Sequence, residues 1–134
     1  MIDPLLFVKE LLENNWDTDK YGPKPQIITL QKFVSQVNDV GIVYLHSVRA
    51  SVEPLGVGIQ GYNNSYIIII DIWTASRTRL STIVQGIIEI LFTKTKELNN
   101  PYKLVVEGYE DFSGEVFGAQ RGQLTVRIEE YTAI

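Results

Sequence analysis

The chain has 134 residues, 45% hydrophobic and 21% charged, enough for one core around a sheet, too short for two ordinary domains, and unlike a disordered or fibrous chain. Its formal charge is −4 and no two basic residues are adjacent, so the sequence encodes no grip on nucleic acid by bulk electrostatics. There is no cysteine, which excludes disulfides, thiolate catalysis and every sulfur-ligated zinc site, and points weakly to an intracellular setting.

In chain order, Met1-Ile2-Asp3-Pro4 lacks the basic start of a secretory signal. Asp3 followed by Pro4 is a helix start, with a capping oxygen and a preset φ. Leu5, Val8, Leu11 and Leu12 recur at helical spacing, which predicts a helix over 4–15. Asn14-Asn15 and the stretch Asp17 to Pro25, with Gly22-Pro23-Lys24-Pro25, read as an extended connector, because proline lacks the amide donor. Three strand segments follow, Gln26 to Val34, Ile42 to Ala50 and Ser65 to Thr74, each rich in β-branched and aromatic residues. Between the last two, Val52 to Asn64 holds Gly56, Gly58, Gly61 and Asn63-Asn64, and reads as a long mobile hairpin tip.

Ser76 is placed to cap a second helix, in which Leu80, Ile83, Val84, Ile87, Ile88 and Leu91 draw one apolar stripe. Gly86 lies near that stripe, where a missing side chain would let the helix approach the sheet. Arg77 and Arg79, at the start of this helix, read as a solvated face, since cations suit the other end of the helix dipole. Asn99-Asn100-Pro101 ends the helix. Two closing strands, Lys103 to Tyr109 and Gln123 to Tyr131, flank a Gly-rich acidic stretch. The expectation is one α+β domain over 1–134, with a mixed or antiparallel sheet of about five strands and two helices in the order α-β-β-β-α-β-β. No repeat of solenoid period is present.

The segment Tyr66-Ile67-Ile68-Ile69-Ile70-Asp71-Ile72-Trp73 is the longest apolar run. It is far below the roughly 20 residues needed to span a bilayer, so no membrane segment is expected. As a strand it does not alternate: Ile68, Ile70 and Ile72 share one face, and Ile67, Ile69, Asp71 and Trp73 share the other. Two helices cover one face of a five-stranded sheet, so the second apolar face calls for another layer. A neighbouring subunit would supply it; otherwise the sheet curls, or the connector from Trp16 to Pro25 folds back over it. Asp71, set among isoleucines, requires an Arg, a Lys or a backbone donor, within the chain or across an interface.

Candidate chemistry is sparse. Gly56-Val57-Gly58-Ile59-Gln60-Gly61 spells G-x-G-x-x-G, but a strand follows it where a dinucleotide site needs a helix, so no cofactor is expected there. His46, the sole histidine, lies in a strand without a nucleophile or metal partner at a diagnostic spacing. Asp17 and Asp19, and separately Glu107, Glu110, Asp111 and Glu115, carry oxygens that suit calcium or magnesium but match no fixed ligand spacing, so they read as solvated loop charge and no metal is expected. Phe112 and Phe117, among glycines and acids in 111–118, either tuck back onto the sheet or anchor in a partner.

The passage Tyr66-Ile-Ile-Ile-Ile-Asp-Ile-Trp-Thr-Ala-Ser, followed by a long helix and a strand pair, resembles the tail-terminator and tail-completion proteins of long-tailed phages and proviruses. The resemblance extends to element order over nearly the whole chain. It implies a ring-forming subunit, typically a hexamer, that caps the tail tube, joins it to the head, and works in the virion after assembly in the host cytoplasm. Tail-tube and head-completion proteins would be its partners, with DNA only as passing cargo, which an acidic balance suits. Ile67, Ile69, Asp71 and Trp73, with Gly56, Gly58 and Gly61, would make the oligomer interface, and Phe112 and Phe117 a partner-contact loop. A different class fits the same residues: a small monomeric or dimeric binding or regulatory module using the sheet face or the Phe112/Phe117 loop. An enzyme is not expected, because one histidine, no cysteine and no paired-carboxylate motif leave little with which to build a site.

Overall fold

The computed structural model describes residues 3–29, 40–54, 61–96, 102–112 and 119–133. Helix α1 spans Pro4–Asn15, where the Asp3 carboxylate accepts from the amides of Leu5 and Leu6. The connector is not fully extended as expected: Asp17 caps a single helical turn, α2, over Thr18–Tyr21. Strands β1 (Gln26–Ile28), β2 (Ile42–Pro54) and β3 (Gly61–Thr74) follow, then α3 (Arg77–Thr95), β4 (Tyr102–Asp111) and β5 (Gln120–Ala133).

Five strands form one sheet in the order β1-β2-β3-β5-β4. Strand β1 pairs with β2 in parallel, and every other pairing is antiparallel. The α+β class and the predicted element order hold. Strands β2 and β3 form the expected hairpin, but its tip is shorter than Val52 to Asn64, because the ladder runs on from Val52↔Asn64 to Pro54↔Tyr62. Gly61, Asn63 and Asn64 are therefore strand residues, and Gly61 is a buried one. Gly56 and Gly58 lie outside the described residues, as do the predicted end of β1 and the Asn99-Asn100-Pro101 stop.

Both long helices pack on one face of the sheet, α1 over β1, β2 and β3, and α3 over β3, β5 and β4. Val8, Leu12, Leu80, Ile83, Ile87 and Leu91 meet Val43, Leu45, Ile68, Ile70, Ile72, Leu124, Val126 and Ile128 there. Each such side chain contributes roughly 1.5–3 kcal/mol by leaving water. Gly41 enters β2 at a φ of +88°, and any Cβ there would run into Ile83.

The connector joins this helical layer; it does not fold over the opposite face. Trp16 and Tyr21 pack at a tilt with ring centroids 5.4 Å apart, and Trp16 donates its indole N–H to the Gly22 carbonyl at 3.1 Å. Gly86 serves this pair and not the sheet: a Cβ at position 86 would stand 2.9 Å from Trp16 and 3.1 Å from Tyr21. Arg79 is likewise no solvated charge. Its guanidinium donates to the carbonyls of Tyr21 and Pro23 and, at 3.2 Å, to that of Val40, tying the connector and the entry of β2 to α3. Arg77 pairs at the surface with Asp111 at 2.6 Å.

Gly86→Ala ought to gain up to about 1 kcal/mol from helix propensity. With Trp16 anchored by its hydrogen bond, overpacking reverses the sign. Chemical denaturation should show Gly86→Ala to be less stable than wild type by about 1–2 kcal/mol.

Candidate functional site

The face of the sheet turned away from α1 and α3 carries the residues that the sequence singled out. No helix or strand lies over it among the described residues. Alternation puts Ile67, Ile69, Asp71 and Trp73 of β3 on this side. Tyr44 and His46 of β2 stand opposite Asp71 and Ile69, and Arg121, Gln123, Thr125 and Arg127 of β5 stand opposite Trp73, Asp71, Ile69 and Ile67. Ile67, Ile69 and Trp73 are partly exposed.

Asp71 is the exception, only 4% exposed. One carboxylate oxygen, Oδ1, accepts from Arg121 Nε at 3.2 Å and Nη2 at 2.9 Å, and from Gln123 Nε2 at 3.3 Å. The other, Oδ2, meets His46 Nε2. The partner that its burial demands comes from within the chain. His46 stacks on Tyr44 with ring centroids 4.6 Å apart. Arg121 lies between two aromatic rings, 5.0 Å from the centroid of Trp73 and 5.1 Å from that of Phe112. Phe112 itself is held by its backbone N–H, which donates to the Arg121 carbonyl at 2.9 Å. The resulting surface is an apolar and aromatic platform around an ion-paired centre whose charges already satisfy one another.

Of the predicted residues, Ile67, Ile69, Asp71, Trp73 and Phe112 thus meet on one face, and His46 joins them. Gly61 lies at the far end of β3, paired with Ala133. Gly56, Gly58 and Phe117 are outside the described residues. Arg121, Gln123 and Tyr44 went unpredicted; Asp71's need for a cation was the signal, but the identity of that cation depends on strand register.

The acidic candidates are dispersed. Asp17 caps α2, Glu107 pairs with Arg127 at 2.9 Å, and Asp111 pairs with Arg77. Glu115 lies outside the described residues. Among the described residues no group of three or more acidic or histidine ligands converges on a metal-sized site, and no helix is long and apolar enough to cross a membrane.

A second polar cluster lies at the far end of the helical face. Asn64 stands opposite Glu130, which stands opposite Tyr102. Asn64 and Tyr66 are each 2% exposed, and among the described residues the Asn64 Oδ1 and the Tyr66 hydroxyl have no hydrogen-bond partner. Burial, and then the charge of Glu130, raise the phenol pKa of both Tyr66 and Tyr102 above 10.0.

Two predictions follow from these clusters. Asp71→Asn takes the anionic partner from Arg121 and should destabilise by roughly 3 kcal/mol in equilibrium unfolding, whereas a surface carboxylate such as Glu10→Gln should shift stability by less than about 0.5 kcal/mol. For the tyrosines, a phenol pKa raised in the folded state means that the folded chain keeps protons the unfolded chain releases. Stability is therefore complete below pH 10 and falls as pH rises from there through the folded pKa. Tyr66→Phe should weaken this alkaline loss, followed by unfolding at stepped pH with absorbance at 295 nm, and at neutral pH it should be equal to or more stable than wild type.

No protein-family model matches the chain, and no curated protein is significantly similar to it.

Proposed function

We propose that this chain is a structural subunit of a virus or provirus particle, a tail terminator or head–tail joining protein that forms a ring on the tail tube. The observation that carries the reading is the one-sided sheet: α1 and α3 cover one face, while the other presents Ile67, Ile69 and Trp73 around an internally neutralised Asp71. A face of that composition loses little by leaving water, because its central charge is already paired and hydrogen-bonded. The resemblance of Tyr66 to Ser76, and of the element order, to tail-terminator proteins supports the specific role. Tail-tube and head-completion proteins are the partners proposed, with DNA passing through the ring.

Sedimentation velocity of the purified chain, alone and mixed with tail-tube protein, is the direct test. A ring-sized species is expected. Ile67→Glu combined with Ile69→Glu should shift it toward monomer while far-UV circular dichroism stays unchanged, since both side chains lie outside the helix-packed core. A monomer under both conditions, at the highest soluble concentration, would sink the proposal.

A further inference from the structure

The open face of the sheet has a titratable group near its centre. The chain holds one histidine, and imidazole is the side chain whose charge ordinarily changes between pH 5 and 8. His46 stands opposite Ile69 in the β2–β3 ladder, among the Ile67, Ile69 and Trp73 surface, with its side chain 24% exposed. Solvent protons reach it in the free subunit, and a copy docked on this face would cover it.

The chemistry of its partner decides which ring nitrogen titrates. Asp71 accepts from Arg121 Nε at 3.2 Å and Nη2 at 2.9 Å, and a carboxylate beside a guanidinium is ionised at neutral pH and can only accept. His46 meets its other oxygen, Oδ2, through Nε2. Nε2 therefore donates whether the ring is neutral or charged, and the proton that comes and goes is the one on Nδ1. The bond to Asp71 survives the titration; the charge of the face changes.

A count of charges gives the consequence. With His46 neutral, Asp71 and Arg121 cancel. With His46 protonated, one carboxylate serves two cations and the centre is left positive. Neighbouring groups do not offset this. Asp71 is the one charged residue of β3, and β1, on the other side of β2, presents only Gln26, Ile27 and Ile28. On β2 itself, Tyr44 is stacked on the imidazole, and the exposed Arg49, opposite Ile67, adds a like charge. Arg127 of β5 is engaged with Glu107 and Glu129. Glu110 of β4 stands opposite Gln123, three strands from His46 and so roughly 14 Å away. Water tolerates the extra charge at the centre, but a dry interface does not, because burial disfavours a cation without a counter-ion of its own.

Resting on the reading of this face as the docking surface of a ring subunit, we infer that His46 is a proton-sensitive latch: the face closes on a neighbouring copy with a neutral imidazole and releases it when Nδ1 takes up a proton. Asp71 holds the ring in place in both states. Docking keeps His46 neutral, so by linkage acid opposes docking.

The sole histidine makes the readout direct. Long-range proton–nitrogen NMR correlations of the imidazole in the wild-type chain should show Nε2 protonated on both sides of the titration and Nδ1 gaining the proton; a ring protonated at Nδ1 above the titration would overturn the inference. Sedimentation velocity from about pH 8 to about pH 5.5, alone and with tail-tube protein, should show the assembled species giving way to smaller ones, with the apparent dissociation constant rising by up to about tenfold per pH unit below the titration. His46→Gln keeps a donor for Asp71 and takes no proton, so it should assemble as well at the acid end as at the alkaline end. Assembly that is indifferent to pH, that strengthens on acidification, or whose pH dependence survives His46→Gln overturns the latch and leaves the ring-subunit reading standing. A chain that stays monomeric throughout, with or without tail-tube protein, overturns both.

Discussion

A carboxylate in the middle of an isoleucine strand tolerates very few surroundings, and the position of Asp71 constrains much of the rest of this sheet. It is nearly buried, and its oxygens are taken by Arg121 and Gln123 from β5 and by His46 from β2. A slip of one residue in β5 would carry Arg121 and Gln123 to the helical face and strip the acid of its cation, and a slip in β2 would remove His46 in the same way. Apolar burial alone would not define β3 so sharply, since isoleucines on both of its faces could serve in either orientation. The acid and its partners select one.

The opposite face is closed by a layer that the chain assembles from distant pieces. Arg79 gathers the carbonyls of Tyr21, Pro23 and Val40, which holds the connector against α3, and Gly86 makes room for Trp16 and Tyr21 there. With the connector drawn to the helical side, the described residues have nothing left to lay over Ile67, Ile69 and Trp73. The openness of that face follows from how the helical side is tied.

These two conditions together make a surface suited to assembly. Docking an apolar face is favourable only where it does not strand a charge, and here the charge is paired within the chain itself. Arg121, pinned by Asp71 and flanked by Trp73 and Phe112, adds a rigid aromatic centre of the kind that anchors interfaces.

Local physics left its marks on the sequence. Asp3-Pro4 and Ser76 announced both long helices, the spacing of Leu80, Ile83, Ile87 and Leu91 announced the buried face of α3, and the non-alternating run from Ile67 to Trp73 announced a strand with two apolar faces. Asp71's need for a partner was legible too, because burying an acid among isoleucines is costly wherever the strand ends up. Arg121 and His46 as the partners, the single turn at Thr18–Tyr21, the role of Gly86 toward Trp16, and the extension of β2 to Pro54 and of β3 back to Gly61 were not legible. Each depends on register or on contacts between segments far apart in the chain. Capping and periodicity act over a few residues and can be read from them, whereas the partner of a buried charge is chosen by how strands align, which only the folded sheet decides.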